Sequence, residues 1–220
     1  ENLDLYAMME PAREVGGDFY DFFPLDNRRF CFSIGDVSGK GIPAALFMVI
    51  TRTILKNQAM QGNPLGEIFN RANNMLCSEN VEDMFVTVFM GILDTETGEL
   101  EYVNAGHNPP LLSRQGEAYR FLDVKRNLVL GGMDDYNYET QHMVLGRSDL
   151  LLLYTDGVNE AMNSTGELFG DRRFFAAADA CRGASPQEIV KKVHQAVSEF
   201  VEDTPASDDL TMLVLTTAKR

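Results

Sequence analysis

Gly35-Asp36-Val37-Ser38-Gly39-Lys40-Gly41-Ile42-Pro43-Ala44-Ala45-Leu46-Phe47 is the stretch on which the fold turns. Ahead of it, residues 29–34 (RFCFSI) read as a strand that ends in the interior. Behind it, residues 43–60 read as a helix, with proline at the first helical position. Between the two, one acid is followed by two glycines within five residues. A carboxylate at a strand end, on backbone free to fold around it, suits a hard cation that takes oxygen ligands. A nucleotide-binding P-loop is excluded, because Gly41 stands where Ser or Thr is needed and Ile34 where the leading glycine belongs. An acidic turn that merely caps the helix stays open from this stretch alone.

Working outward, the same pattern recurs. Residues 3–9 read as a strand, and 10–15 bend into Gly16-Gly17-Asp18-Phe19-Tyr20-Asp21, a second acid just after glycine. Strand character resumes at 19–23, and a turn at 25–28 leads to the strand ending at Asp36. Antiparallel pairing of these strands would bring Asp18 and Asp36 together. The helix from residue 43 is apolar on nearly every side as far as Ile50, so its first half is expected to be deeply buried. A second helix starts at Asn63-Pro64, with Leu65, Ile68, Phe69, Ala72 and Leu76 on one stripe. Residues 84–93 (MFVTVFMGIL) read as a central strand, turned by Thr95-Glu96-Thr97-Gly98 into a hairpin with 100–104.

Asn104-Ala105-Gly106-His107-Asn108-Pro109-Pro110 is a loop before a strand at 111–113. His107 is either a general acid or, the reading preferred for a lone histidine in a proline-bounded loop, structural. Residues 127–135 read as loop, and 138–145 and 150–154 as strands. The latter, Leu150-Leu151-Leu152-Leu153-Tyr154, is expected to be buried on both faces and runs into Thr155-Asp156-Gly157, a third acid beside a glycine. Residues 162–170 read as loop. Ser185-Pro186-Gln187-Glu188 is a capping box opening a helix with the stripe Ile189, Val190, Val193, Val197 and Phe200. Asp208-Asp209 then precedes the last strand, 210–215. Many strands with helices inserted in two blocks predict antiparallel sheets packed with helices.

The 220 residues suffice for one large domain, or at most two small ones. A net charge of −14 argues against nucleic acid or an anionic membrane as partner. Cys31, Cys77 and Cys181 show no C-x-x-C pair, and His107, His142 and His194 have no ligand spacing. Zinc and disulfide frameworks are therefore not expected, and a reducing compartment is. No C-x5-R loop supports cysteine-based phosphatase chemistry. Carboxylates at several strand ends, without histidine or cysteine, predict Mg²⁺ or Mn²⁺. Two such ions, about 3.5–4 Å apart, can share a carboxylate and a water, and they would let an acidic pocket receive an anionic phosphate.

The segments 15–21, 35–45, 104–110, 154–161 and 208–211, in this order, resemble the SpoIIE/RsbU family of bacterial metal-dependent serine phosphatases, related to type 2C protein phosphatases. The resemblance spans essentially the whole chain. It implies an α+β fold, a four-layer α-β-β-α sandwich of two antiparallel sheets flanked by helices, in a single catalytic domain over 1–220. It implies two Mn²⁺ or Mg²⁺ ions, with Asp36 bridging, the Val37 carbonyl on one ion, Asp156 and Asp208 on the other, and Asp18 bound directly or through water. The activity implied is hydrolysis of phosphoserine or phosphothreonine on a small anti-sigma-factor antagonist, in the cytoplasm. An upstream sensory, receiver or coiled-coil segment of a longer protein is expected as regulator, with homodimers among the assemblies, and no nucleic-acid or membrane contact by this domain. Arg13 is similar to a phosphate-binding arginine of the type 2C relatives, although a surface arginine is the preferred reading. A non-catalytic phosphoprotein-binding module on the same fold is the alternative.

Overall fold

A computed structural model describes residues 3–78 and 83–217. In chain order the elements are β1 (Leu3–Glu10), β2 (Phe19–Pro24), β3 (Arg29–Val37), α1 (Ile42–Met60), α2 (Leu65–Ser78), β4 (Val86–Asp94) and β5 (Glu99–Ala105). There follow β6 (Leu111–Ser113), β7 (Arg120–Phe121), β8 (Gln141–Val144), β9 (Leu150–Tyr154), α3 (Asp156–Asn159), α4 (Gly170–Asp179), α5 (Pro186–Val201) and β10 (Leu210–Thr217). The class is α+β as expected, with two five-stranded antiparallel sheets ordered β1-β10-β9-β6-β7 and β2-β3-β4-β5-β8.

The chain divides into two compact units. One takes in the described residues of Glu14–His107 and Val124–Val144 and holds the β2-β3-β4-β5-β8 sheet with α1 and α2. The strand over 84–93 lies at the centre of that sheet, between β3 and β5. The predicted stripe of α2 is buried in full, with Leu65, Ile68, Phe69, Ala72 and Leu76 at 2% exposure or less. These side chains pack with Phe19, Val37, Val86, Val88 and Val103 from the sheet. Each large apolar side chain so buried contributes about 1.5–3 kcal/mol.

The other unit takes in the described residues of Glu1–Arg13, Asn108–Asp123 and Leu145–Arg220. It holds the β1-β10-β9-β6-β7 sheet with α3, α4 and α5. Every residue of β9 is buried, as its uninterrupted apolar run requires. The α5 capping box forms as predicted: Ser185 accepts from the Glu188 N–H, and the Glu188 carboxylate accepts from the Ser185 N–H at 2.9 Å. Ile189, Val190, Val193 and Val197 pack against Leu152, Tyr154, Met212 and Val214 of the sheet.

Three expectations need correction. The first half of α1 is not deeply buried: Ala44, Phe47, Thr51, Leu55 and Ala59 form its inner face, while Ile42 is 70% and Leu46 60% exposed. Only one side of the helix meets β2, β3 and α2, so the remaining apolar residues face outward. The strand over 138–145 shrinks to Gln141–Val144. Tyr138 leaves the ladder because its N–H donates to Asn70 Oδ1 at 2.8 Å and its hydroxyl donates to the Val129 carbonyl at 3.0 Å. Finally, α4 stands where no helix was expected.

Candidate functional site

In the first unit, β2 and β3 pair with Phe19 opposite Gly35. Asp18 directly precedes Phe19 and Asp36 directly follows Gly35, so the two acids lie at the same end of the β2–β3 pair. Asp18 is 2% exposed and Asp36 half-buried. The loop that follows turns on Gly39 and Gly41, both at positive φ, which lets the chain reverse into α1 without a Cβ penalty. Ser38 anchors it to the start of β4: its N–H donates to the Phe85 carbonyl at 2.8 Å, and the Phe85 N–H donates to its hydroxyl at 2.9 Å.

Gly17 leaves this corner open. A Cβ there would lie 3.1 Å from the Val37 carbonyl oxygen and 3.3 Å from the Val37 Cβ. A side chain would therefore crowd the one backbone carbonyl expected as a ligand. The cradle of Gly17, the Val37 carbonyl, Asp18 and Asp36 offers only oxygen donors, and it fits Mg²⁺ or Mn²⁺.

His107 stands behind this strand end. It is 4% exposed, and its Nδ1 shares a 2.8 Å hydrogen bond with the Thr87 hydroxyl. Its N–H donates to Asn104 Oδ1 at 2.8 Å, and Asn104 Nδ2 donates back to its carbonyl at 3.0 Å. Thr87 is the ladder partner of Asp36. His107 thus closes the β5 turn and braces the strand beside Asp36, in keeping with the structural reading.

In the second unit, Tyr154 pairs with Met212. Beyond that pair the Thr155 N–H donates to the Thr211 carbonyl, and the Thr211 N–H to the Thr155 hydroxyl, both at 3.0 Å. This doubled link sets Asp156 beside the 208–209 segment. Asp156 opens α3, where its carbonyl accepts from the Glu160 N–H at 2.7 Å. A Cβ on Gly157 would fall 2.0 Å from the Asp209 carbonyl oxygen, so only glycine permits this approach.

The adjacent acids differ. Asp209 is 7% exposed, and its Oδ1 accepts from the Ala12 N–H at 2.8 Å. Asp208 is half-buried and its Oδ1 accepts from the Asp209 N–H at 3.0 Å. Asp209 therefore ties the end of β1 to the start of β10, which supports Asp208 as the ligand of the two. Arg13 is exposed. Among the described residues, no three His, Cys, Asp or Glu side chains form a metal-holding group. Asp18 and Asp36 flank the end of the β2–β3 pair in one unit, and Asp156 and Asp208 flank the Thr155–Thr211 link in the other.

Sequence reasoning missed Asp21. Only 7% exposed, it accepts from Arg52 Nε at 3.1 Å and Lys56 Nζ at 3.2 Å, pinning α1 to β2. The available signal was Arg52 and Lys56 four residues apart on one helix face. The thiols add nothing reactive. Burial raises the pKa of Cys31, Cys77 and Cys181, leaving each as thiol rather than nucleophilic thiolate.

Comparison with solved structures defines the class: this is the fold of the PP2C-type phosphatase domain. The PP2C domain of SpoIIE from Bacillus subtilis superposes with a TM-score of 0.85 at 20% identity, over 98% of this chain and 63% of that one. The RsbU and RsbW domains of a Mycobacterium tuberculosis protein give 0.83 at 26% identity, over 99% of this chain and 60% of that one. A family model for stage II sporulation protein E matches residues 26–218, and the chain belongs to that family. Among curated relatives, the phosphoserine phosphatase RsbU of Bacillus subtilis is 31% identical over 98% of this chain and 63% of its own length. Protein IcfG of Synechocystis is 30% identical over 95% of this chain and 37% of its own. The chain thus spans between about a third and two thirds of the length of these two relatives.

Proposed function

We propose that this chain is a single catalytic domain, a metal-dependent serine/threonine phosphoprotein phosphatase acting on phosphoserine or phosphothreonine of a small anti-sigma-factor antagonist. The observation that carries the reading is the end of the β2–β3 pair, where Asp18 and Asp36 flank the Phe19–Gly35 partners beside a Val37 carbonyl that Gly17 keeps clear. The named activity of RsbU, a phosphoserine phosphatase 31% identical over 98% of this chain, supports it.

Asp36 would bridge two Mn²⁺ or Mg²⁺ ions, the Val37 carbonyl and Asp18 serving the same pair, with Asp156 and Asp208 as the remaining ligands. When bound, such ions activate water for attack on phosphorus and neutralise phosphate charge. The residues of the chain hold and orient. Thr87 and His107 steady the Asp36 strand end, Asp209 fixes the segment carrying Asp208, and Ser38 fixes the loop after Val37. Arg13 is assigned to the surface rather than to phosphate.

The proposal extends to setting: a cytoplasmic domain, regulated by an upstream sensory, receiver or coiled-coil segment, with a homodimer among its assemblies. Among the described residues, no helix is long and apolar enough to cross a membrane. The test is release of p-nitrophenol from its phosphate ester with and without Mn²⁺. Wild type should turn over only with metal. Folded Asp36→Asn should lose about a hundredfold or more, since even residues supporting a metal ligand cost about 10–100-fold. Phosphopeptide binding without turnover would replace the enzyme by a binding module.

A further inference from the structure

Beside Asp208 the second unit holds a cavity of about 230 Å³. Its walls are apolar where they meet the core: Ala161, Val197, Val201 and Leu210. Two carboxylates line it besides the proposed metal ligand Asp208: Glu10 and Glu202. The volume falls below the range of drug-sized ligand sites, about 300–1,000 Å³, and suits one long side chain.

Two independent features make the cavity a place for positive charge. The first is the carboxylates: among the described residues no lysine or arginine lines the cavity, and the basic residue that does, His194, is bonded through Nε2 to Glu10 at 2.6 Å. The second is α5, which ends there. Val197, Ser198 and Val201 belong to its last turns and Glu202 is its C-cap. The carbonyl end of a 16-residue helix carries partial negative charge, and α5 has no basic residue in its last turn to offset it. An apolar wall under an anionic rim is complementary to a side chain with a hydrocarbon stem and a cationic head.

Resting on the phosphatase reading, we propose that this cavity is a substrate subsite that receives a lysine or arginine flanking the phosphorylated residue. Asp208 lies in its wall, so a phosphoserine held near Asp208 has its neighbours within reach. An extended chain advances about 3.3–3.6 Å per residue, which places the basic residue within about three positions of the phosphoserine. The subsite selects substrates and takes no part in bond breaking. Glu10 and Glu202 are specificity-determining residues.

The experiment uses phosphoserine peptides identical except for lysine or norleucine at each of the three positions on either side, with Mn²⁺ present. Norleucine keeps the stem and removes the charge. Wild type should favour lysine in kcat/KM by about two- to fivefold at one position, the scale of one partly exposed charge pair. Glu202→Lys should erase or reverse that preference, and Glu10→Gln should reduce it. The second variant decides the matter if the first does not fold. Equal hydrolysis of all the peptides overturns the subsite while leaving the phosphatase intact. A lysine preference that survives both substitutions places the selection elsewhere and overturns it too. Failure of wild type to hydrolyse any peptide removes the phosphatase reading, and the subsite with it.

Discussion

Asp208 and Asp209 are neighbours in different surroundings, and the difference is measurable. Asp209→Ala leaves the Ala12 N–H without its acceptor, a loss of about 1–3 kcal/mol. Asp208→Ala removes a half-buried carboxylate that accepts from the N–H of its own neighbour, so its effect on folding should be the smaller, about 0.5–1.5 kcal/mol. Activity should rank the other way, with Asp208→Ala the more damaging in Mn²⁺-dependent hydrolysis. Urea melts and rates on the same preparations test both halves. If Asp209→Ala were the more inactive variant at equal folded fraction, the two acids would have exchanged roles. Gly157→Ala probes the same corner by space, since its methyl would lie 2.0 Å from the Asp209 carbonyl oxygen. Backbone must move to admit it, at a cost of about 1–3 kcal/mol or more.

Between elements, short-range chemistry sets the turns. Asp94, at the end of β4, accepts from the Thr97 and Glu96 N–H groups at 3.0 and 2.9 Å and from Arg28 of the β2–β3 turn. These bonds, the Thr97 N–H foremost, lower its pKa from 3.8 to about 2. A depressed carboxylate contributes stability that is fully present above its unfolded value. That contribution is lost as pH falls from about 4 through about 2. Carboxyl NMR shifts should therefore show Asp94 titrating near pH 2, with the β4–β5 turn loosening over that window; a midpoint near 4 would contradict the network. This turn was legible because Asp, Thr and Gly stand together. So were the α5 cap and the β9 run, each a local pattern. Less legible was α4, which starts at Gly170 without a capping side chain and buries only Phe174 and Ala178. The outward face of α1 was not legible, since an apolar residue looks the same in sequence whether or not another layer covers it. In the proposed site, glycine beside acid is the signal that singles out Asp18, Asp36 and Asp156. Asp21, by contrast, acquires its role from Arg52 and Lys56, some thirty residues away.

At the scale of the whole molecule, 33 acidic residues against 19 basic ones leave a charge of −14, and self-repulsion opposes compaction. Any salt should relieve part of it by screening. A metal centre predicts something further, because an ion that binds the native state alone stabilises it by mass action. At about a hundredfold over Kd the gain is about 2.7 kcal/mol. For a chain of this size each kcal/mol moves the melting temperature by about 2–4 °C, giving a rise of about 5–10 °C. The measurement is thermal melting in NaCl and in MnCl₂ at matched ionic strength, for wild type and Asp36→Asn. NaCl should raise both proteins by a similar small amount. Mn²⁺ should add its larger increment to wild type alone, since asparagine keeps the shape of the ligand without its charge. Equal Mn²⁺ increments in the two proteins would reduce the effect to screening of a crowded acidic surface and remove Asp36 from the metal site.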